Sequence, residues 1–500
     1  MIKRLFYAKI AITGMTKRFL TAFGMTMCFL WFNPSPALSQ NLPLLPYPHQ
    51  VIEHEGVFNM NEFVPVFRGR NATLEQQRAI WMLCEGFENI FGKPLKITDK
   101  EKGSIIVLRN LATETTSKKQ EKTILPVGEE GYQLNILPDK IEIIANSNAG
   151  LFYGSQTLLQ LFRTSSLTGR INCMTINDMP SSKQRYLCYQ WDSVHTPSFN
   201  YIKQLIQSAS HFKFNGIALL NDAVHPLFSE MELFYLKKFA EQYHVDIVTD
   251  TKNFSEEQIL HVNLNRKIYP EFQQTLQTIF SPFAEEENKI TVFHNSSAPL
   301  FIDNWYSIFW TAELLWNQPK NNAPSVMKQQ QSQYEKALDR QFFEVDFALC
   351  EQLRAFDSLQ IISLSEWDFW RPATSDSVSH NPANNRFVLA RALAMEERLQ
   401  LILDSAPIMH DEILYSMIFA AQRAGFIALK NLLQESLTQQ SAEPETTQET
   451  VELLRENIQH LKQAHEMLWG VENDSAVPEN VAQRYDRMLN ELEDVKVLKK

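Results

Sequence analysis

Three carboxylates, one guanidinium and two aromatic groups are the residues of this chain whose types and spacing could do chemistry. Asp222 and Asp250 each follow a short apolar run, Gly216–Leu220 and Val245–Thr249, where the end of a strand would hold a carboxylate in place. Glu313 comes just after Trp305, Tyr306, Phe309 and Trp310, which puts an acid beside several flat rings. A positioned carboxylate can give or take a proton, and flat rings can stack on a ring ligand. Trp367, Phe369 and Trp370 form the second aromatic group, and Arg185 opens the apolar run Tyr186–Trp191. Each also has a plainer use. Arg185 is placed to pair with a carboxylate, Asp222 to cap a loop after Asn221, and Trp310 to fill a core, while aromatics beside Pro372 commonly pack. The histidines are scattered, and Cys28, Cys84, Cys173, Cys188 and Cys350 include no pair at metal-ligand spacing. No Gly-rich phosphate loop and no Ser-His-Asp pattern stands out. No metal and no cofactor is expected, and no residue is assigned as catalytic from its type alone.

The elements that must position these residues are most legible at Glu130–Phe162. Tyr132, Leu134 and Ile136 alternate with Gln133 and Asn135, which predicts a strand with one apolar face. Leu137-Pro138-Asp139-Lys140 predicts a turn, because proline fixes φ and Asp bonds its own backbone. Ile141 and Ile143 resume the alternation as the partner strand of a hairpin. A helix follows, with Leu151, Leu158, Leu159 and Phe162 on one side and with Gly150 and Gly154 permitting close approach to a sheet.

Glu130-Gly131-Tyr132-x-Leu134, the Ile-rich strand, and Gly150-Leu-Phe-Tyr-Gly154-x-Gln156-Thr-Leu-Leu-Gln160-Leu together resemble the small α+β domain that precedes the barrel in bacterial family-20 β-N-acetylhexosaminidases. The resemblance covers about residues 42–165 well and the remainder progressively less. It implies a (β/α) barrel downstream. It also implies that the substrate's acetamido oxygen acts as nucleophile, assisted by an Asp-Glu pair after the fourth barrel strand. The Asp would orient the acetamido group and the Glu would protonate the leaving oxygen, a known departure from the usual two-carboxylate scheme. Where that pair should stand, after the strand Ile290–Phe293, this sequence has His294-Asn295-Ser296-Ser297, without an acid.

Other family positions are carried unevenly. Arg185 follows Asp178-x-Pro180 as the family's sugar-binding Arg follows its own Asp-x-Pro, but Tyr186 replaces Gly and Gln190 holds the place of an Asp, with Asp192 and His195 out of register. Lys213-Phe-Asn215 is similar to the family's Lys-Leu-Asn, and Asp222 falls one residue short of the matching Asp. Asp250 stands where the family has Glu. Trp310-Thr-Ala-Glu313 resembles the Trp-Thr-Glu of the last barrel strand, whose Trp walls the sugar pocket and whose Glu binds sugar hydroxyls. The resemblance therefore implies substrate binding by Arg185, Asp222, Trp310 and Glu313, with hydrolysis lost or much reduced. Two other readings stay open. One is an active glycosidase whose acid has moved to Asp222, Asp250 or Glu313. The other is a relative that binds a partner protein.

Around these residues, β/α alternation begins after Pro180: strands Tyr186–Trp191, Gly216–Leu220, Val245–Thr249 and Ile290–Phe293, with helices between them, predict parallel pairing. Only about 190 residues are free for it where a typical barrel takes roughly 250, so a shortened or degenerate TIM-like barrel is expected. Phe387–Leu403, Glu412–Leu437, Gln448–Leu468 and Pro478–Val495 read as helices of a C-terminal bundle, with Ser441–Thr447 a polar linker. The expected fold is thus multidomain, α/β with α+β: a signal segment at 1–39, the α+β sandwich domain at 40–165, the barrel at 166–380 and the helical bundle at 381–500.

Composition bounds the function. The chain has 500 residues and a net charge of −11, and residues 1–39 carry five Lys/Arg and no Asp or Glu, so that the remainder stands at −16. This charge disfavours nucleic acid and anionic membrane as partners; the family resemblance implies an amino-sugar glycan as the partner. Lys17-Arg18, the apolar run Phe19–Phe32 and Ala37-Leu38-Ser39 have the form of a secretory signal with Gln40 as first mature residue, whether translation starts at Met1 or Met15. An exported protein, periplasmic or extracellular and with no membrane span left after cleavage, is the expectation.

Overall fold

The structure is a computed structural model of the 500-residue chain. It describes residues 42–60, 64–68, 72–103, 105–112, 128–191, 197–221, 228–249, 259–263, 290–294, 305–317, 324–354, 366–373, 382–438, 444–472, 477, 479–493 and 495. The expected signal segment, residues 1–39, lies outside them, as do residues 441–443 of the expected polar linker, whose remaining residues 444–447 instead open helix Pro444–Glu472.

The first unit is a seven-stranded mixed sheet in the order β1-β7-β5-β6-β4-β2-β3. Its strands are β1 (Gln50–Asn59), β2 (Pro65–Phe67), β3 (Lys96–Thr98), β4 (Ile105–Asn110), β5 (Tyr132–Ile136), β6 (Lys140–Ala145) and β7 (Arg170–Asp178). The predicted hairpin is present: β5 pairs antiparallel with β6, Tyr132 opposite Ala145, and the Leu137 amide donates to the Lys140 carbonyl at 2.8 Å across the turn. β7 pairs with both β1 and β5, so the sheet continues past residue 165 to Asp178.

Helices Leu74–Phe91 and Asn148–Ser165 pack on this sheet and on each other. The first begins with a capping box at Thr73 and Gln76, which satisfies two amide donors the helix cannot satisfy itself. The second is buried on every side from Gly150 to Phe162. Its glycines allow this approach. A Cβ at Gly154 would stand 2.6 Å from the Ile143 side chain, and one at Gly150 would stand 2.5 Å from the Gly131 carbonyl oxygen. The expectation of a single apolar side is therefore corrected. The helix is clasped between the sheet and helix Pro324–Gln341, and its polar residues find internal partners. Gln160 bonds both the amide and the carbonyl of Leu45, and Ser155 Oγ donates to the Leu151 carbonyl.

The second unit is parallel α/β. Strands β8 (Tyr186–Trp191), β9 (Gly216–Asn221) and β10 (Asp246–Val248) pair parallel in sequential order, with helices Phe199–His211 and Glu230–Gln242 between them. A second parallel pair, β11 (Ile259–Asn263) and β12 (Ile290–His294), follows, and β12 runs beside β8. β11 is an addition to the expected strands: its five residues are too short to show a period.

The next element corrects the sequence reading more strongly. Trp305–Trp316 is a helix rather than the last strand of a barrel. Tyr306, Phe309, Trp310 and Trp316 are buried at helical spacing, a period of 3.6 that marks a core-facing helix. Helices Pro382–Ser405, Glu412–Thr438, Pro444–Glu472 and Glu479–Glu493 form the C-terminal array. One contiguous hydrophobic core joins them to the parallel unit, running from Leu187 through Trp310 and Phe369 to Leu492. Glu412–Leu437 is long and apolar enough to cross a membrane, but 83% of that window is buried inside the protein, as in the central helix of a packed bundle. Overall the described chain is mixed α/β with a mixed sheet.

Candidate functional site

A buried cluster of ionisable side chains lies where the first sheet meets the parallel unit, and it is built from the ends of elements. Asp178 closes β7, Glu130 precedes β5, and Arg185 precedes β8. Lys213 sits in the turn between helix Phe199–His211 and β9, and Trp316 ends the helix begun at Trp305. Lys213 adopts φ 62°, a left-handed backbone that costs a residue with a Cβ roughly 1–2 kcal/mol. The turn tolerates it because the Lys213 and Phe214 amides donate to the Ser210 and Ala209 carbonyls and because the side chain is anchored.

Asp178 is 0% exposed and Lys213 1%. Lys213 Nζ donates to Asp178 Oδ2 at 3.0 Å and to Tyr132 Oη at 3.0 Å. Asp178 also accepts from Tyr132 Oη at 2.7 Å, from Trp316 Nε1 at 2.9 Å, and from the His49 and Met179 amides at 3.1 Å. Burial alone would raise the Asp178 pKa. The Lys213 charge and the bonds from His49, Tyr132 and Trp316 overcome it and hold the carboxyl well below the usual range. The ammonium also lies 4.3 Å from the centre of the Trp316 ring, a cation–π contact.

Arg185 is equally enclosed, at 1% exposure. Nε donates to the Lys213 carbonyl at 2.9 Å. Nη1 donates to Glu130 Oε2 at 2.8 Å and to the Ser182 carbonyl at 2.8 Å. Nη2 donates to Glu130 Oε1 at 3.0 Å and to Tyr153 Oη at 3.3 Å. A guanidinium has five N–H groups, and these contacts occupy all of them. In this arrangement Arg185 fastens β8 to the segment before β5 and has no donor left for a sugar hydroxyl.

Glu313 borders the same cluster. Its Oε2 accepts from the Tyr47 amide at 2.7 Å. Enclosure pushes its carboxyl up to about 8, with the Asp178 charge adding to the rise and the Tyr47 bond and Lys213 charge opposing it. Some side-chain surface still reaches solvent. Because the folded value lies above the ordinary 4.5, Glu313 favours the fold most below that value, and this contribution is lost as pH rises toward about 8. Glu313→Gln is therefore expected to change stability little at pH 4.5 and to raise it by roughly 1–2 kcal/mol at pH 8, discounted for residual solvent access. Urea midpoints at the two pH values check this, and the same shift at both would contradict it.

The remaining sequence-chosen residues lie elsewhere. Trp310 is 1% exposed in the large core, edge-on to Tyr334 at 4.7 Å between ring centres. Asp222, Asp250, Asp192, His195 and residues 295–297 lie outside the described residues. The additional strand alters the count at the place where the acid pair was sought. Among the described residues, β11 is the fourth strand after Pro180 in chain order and β12 the fifth, and the residues that follow them in sequence are Leu264-Asn265-Arg266 and Asn295-Ser296-Ser297. Neither run contains a carboxylate. Sequence reasoning quoted Asp178 and Lys213 as motif positions without giving them a role, and it passed over Trp316. Asp178 and Lys213 stand within the motif stretches Asp178-x-Pro180 and Lys213-x-Asn215, whereas Trp316 lies in no motif. Among the described residues no group of acids, histidines or cysteines is arranged to hold a metal ion.

Comparison with known proteins places the first unit. Residues 41–179 match the profile of glycosyl hydrolase family 20, domain 2. The match ends one residue beyond β7, where the seven-stranded sheet ends. Over 174 residues the chain is 24% identical to the lacto-N-biosidase of Bifidobacterium bifidum, an overlap of 32% of this chain and 14% of that protein. Among solved structures, Streptomyces plicatus N-acetyl-β-hexosaminidase in complex with Thio-NAglucal aligns at 20% identity and TM-score 0.34, covering 42% of this chain and 46% of that one. The β-N-acetylhexosaminidase of Bacteroides fragilis aligns at 16% identity and TM-score 0.33, covering 48% and 47%. The chain thus spans less than half the length of these solved structures and a small part of the curated relative. Through its first unit, the chain is related to glycoside hydrolase family 20.

Proposed function

We propose that this is an exported relative of the family-20 β-N-acetylhexosaminidases that recognises N-acetylhexosamine glycans without hydrolysing them. The observation that carries the reading is the absence of a carboxylate from the three residues directly after β11 and after β12. A glycosidic oxygen leaves readily only if a group holding a proton lies within hydrogen-bond reach, and neither run supplies one. The five parallel strands are read as a shortened barrel. β8, β9 and β10 pair in sequence, β11 pairs with β12, and β12 lies beside β8, which is compatible with that reading. The family match supports a glycan as ligand, and Asp222, beyond the end of β9, is the remaining candidate to bind it. The signal-like Phe19–Phe32 run with Ala37-Leu38-Ser39 supports export.

One observation favours a second reading. Glu313 keeps a proton near neutral pH, as a relocated general acid would. Its hydrogen bond to the Tyr47 amide and its place among Asp178 and Lys213 support a role at the junction instead.

Titration calorimetry of the purified chain with N-acetylglucosamine and N,N′-diacetylchitobiose tests the glycan reading. Weak saturable binding, reduced by Asp222→Ala, is expected. No heat with either sugar would overturn it and leave the partner-protein reading.

A further inference from the structure

The second aromatic group picked out in the sequence forms a cavity of its own, outside the junction. A cavity of about 440 Å³ is lined by Trp367, Trp370, Arg371, Arg484, Arg487 and Glu491, among others. Volumes of this order hold one or two sugar-sized rings. Phe369 points inward and is 0% exposed, whereas Trp367 is 57% exposed at the rim. Trp370 packs edge-on against Tyr485 at 4.9 Å, and the Arg484 guanidinium lies 5.4 Å from the centre of its ring.

The cavity floor is built rigidly. Helix Glu366–Trp370 is short, and its last carbonyls would go unpaired. Lys430 Nζ reaches the Asp368, Phe369 and Arg371 carbonyls at 2.9, 2.7 and 2.8 Å. Arg371, 4% exposed, donates to Asn431 Oδ1, and Asn431 in turn donates to Asn385 Oδ1 at 3.1 Å. The buried Arg371 Nε has no hydrogen-bond acceptor, the Asp368 carboxylate standing 3.7 Å away. The other wall is one face of helix Glu479–Glu493. Arg484, Arg487 and Glu491 follow at helical spacing, while Tyr485, Met488 and Leu492 face the core.

The chemistry of this lining is unlike the chain as a whole. The chain carries a net charge of −11, yet three guanidinium groups and one carboxylate surround this cavity. A guanidinium fork matches a carboxylate in two parallel hydrogen bonds, and an exposed indole offers a flat apolar face that gains by being covered. A simple anion would use the first feature and leave the second idle, whereas a neutral sugar would do the reverse.

We propose that this cavity binds an acidic sugar of the uronate or sialate type, with its ring against Trp367 and its carboxylate held by Arg484 and Arg487. The site is independent of the strand ends discussed above. Titration calorimetry of the full chain with D-glucuronic acid and N-acetylneuraminic acid tests it, with acetate and N-acetylglucosamine as controls. At least one acidic sugar is expected to bind about tenfold more tightly than either control, and the Arg484→Ala/Arg487→Ala pair is expected to weaken it by about tenfold or more, as the loss of charge-assisted bonds should. Trp367→Ala should weaken the acidic sugar while leaving acetate unchanged. These three residues are exposed, so the variants should fold, which circular dichroism would verify. Absence of binding by both acidic sugars, acetate binding equally well, or affinity indifferent to the arginine pair would each overturn the proposal.

Discussion

Asp178→Ala is expected to lower the unfolding free energy by about 3–5 kcal/mol, the usual cost of removing one partner from a buried ion pair. The carboxylate is 0% exposed and gathers donors from five positions along the chain: the His49 and Met179 amides, Tyr132, Lys213 and Trp316. Without it, the Lys213 ammonium would remain 1% exposed with its ion-pair partner gone, and the Trp316 N–H would lose its acceptor. Replacing Lys213 by methionine in the same molecule should recover part of the loss, because the stranded charge is then absent. The pH dependence has a definite sign. The folded Asp178 pKa lies below the ordinary 3.8, so its contribution is complete above about pH 4 and is lost as pH falls below that value. Between pH 7 and pH 3, urea unfolding should show the wild type losing more stability than the variant, the difference being the Asp178 contribution. A loss under about 1 kcal/mol at pH 7 would mean that the cluster does not hold the junction together.

How much of this was legible in the sequence depended on whether the information was local. The β5–β6 hairpin was legible because Tyr132, Leu134 and Ile136 alternate and Pro138-Asp139 makes the turn. The full burial of helix Asn148–Ser165 was not, because Ser155, Gln156, Thr157 and Gln160 look like a solvent face. Ser155 bonds Leu151 one turn back, but the partners of the others lie far away in sequence: Gln160 meets Leu45, Gln156 meets His211, and Thr157 meets Tyr132 at 2.6 Å. Likewise, Arg185 could be recognised as a pairing residue, but Glu130 could not be identified as its partner across 55 positions.

At Trp305–Trp316 the resemblance to a barrel strand outweighed the helical spacing of Tyr306, Phe309, Trp310 and Glu313, and the spacing was the better guide. The same helix removes Trp310 into the core while leaving Glu313 at the junction. β11 was missed because five residues between polar stretches carry too little pattern, and that omission moved the expected acid position by one strand. The absence of the acid holds in either register, because neither Leu264-Asn265-Arg266 nor Asn295-Ser296-Ser297 contains a carboxylate.

Hydrolysis of aryl N-acetyl-β-hexosaminides tests the central claim most directly. A positioned general acid contributes about 10²–10⁴-fold to such a reaction, and on the proposed reading the chain also lacks the neighbouring Asp expected to orient the acetamide. Purified protein, assayed from pH 4 to 8 beside a Glu313→Ala variant, would show both effects. The Glu313 carboxyl near 8 would let it donate a proton throughout most of that range, so a relocated acid would reveal itself as turnover that Glu313→Ala abolishes without unfolding the protein. The account predicts that neither protein exceeds the rate of buffer alone at any pH, and robust turnover by the parent protein would contradict it.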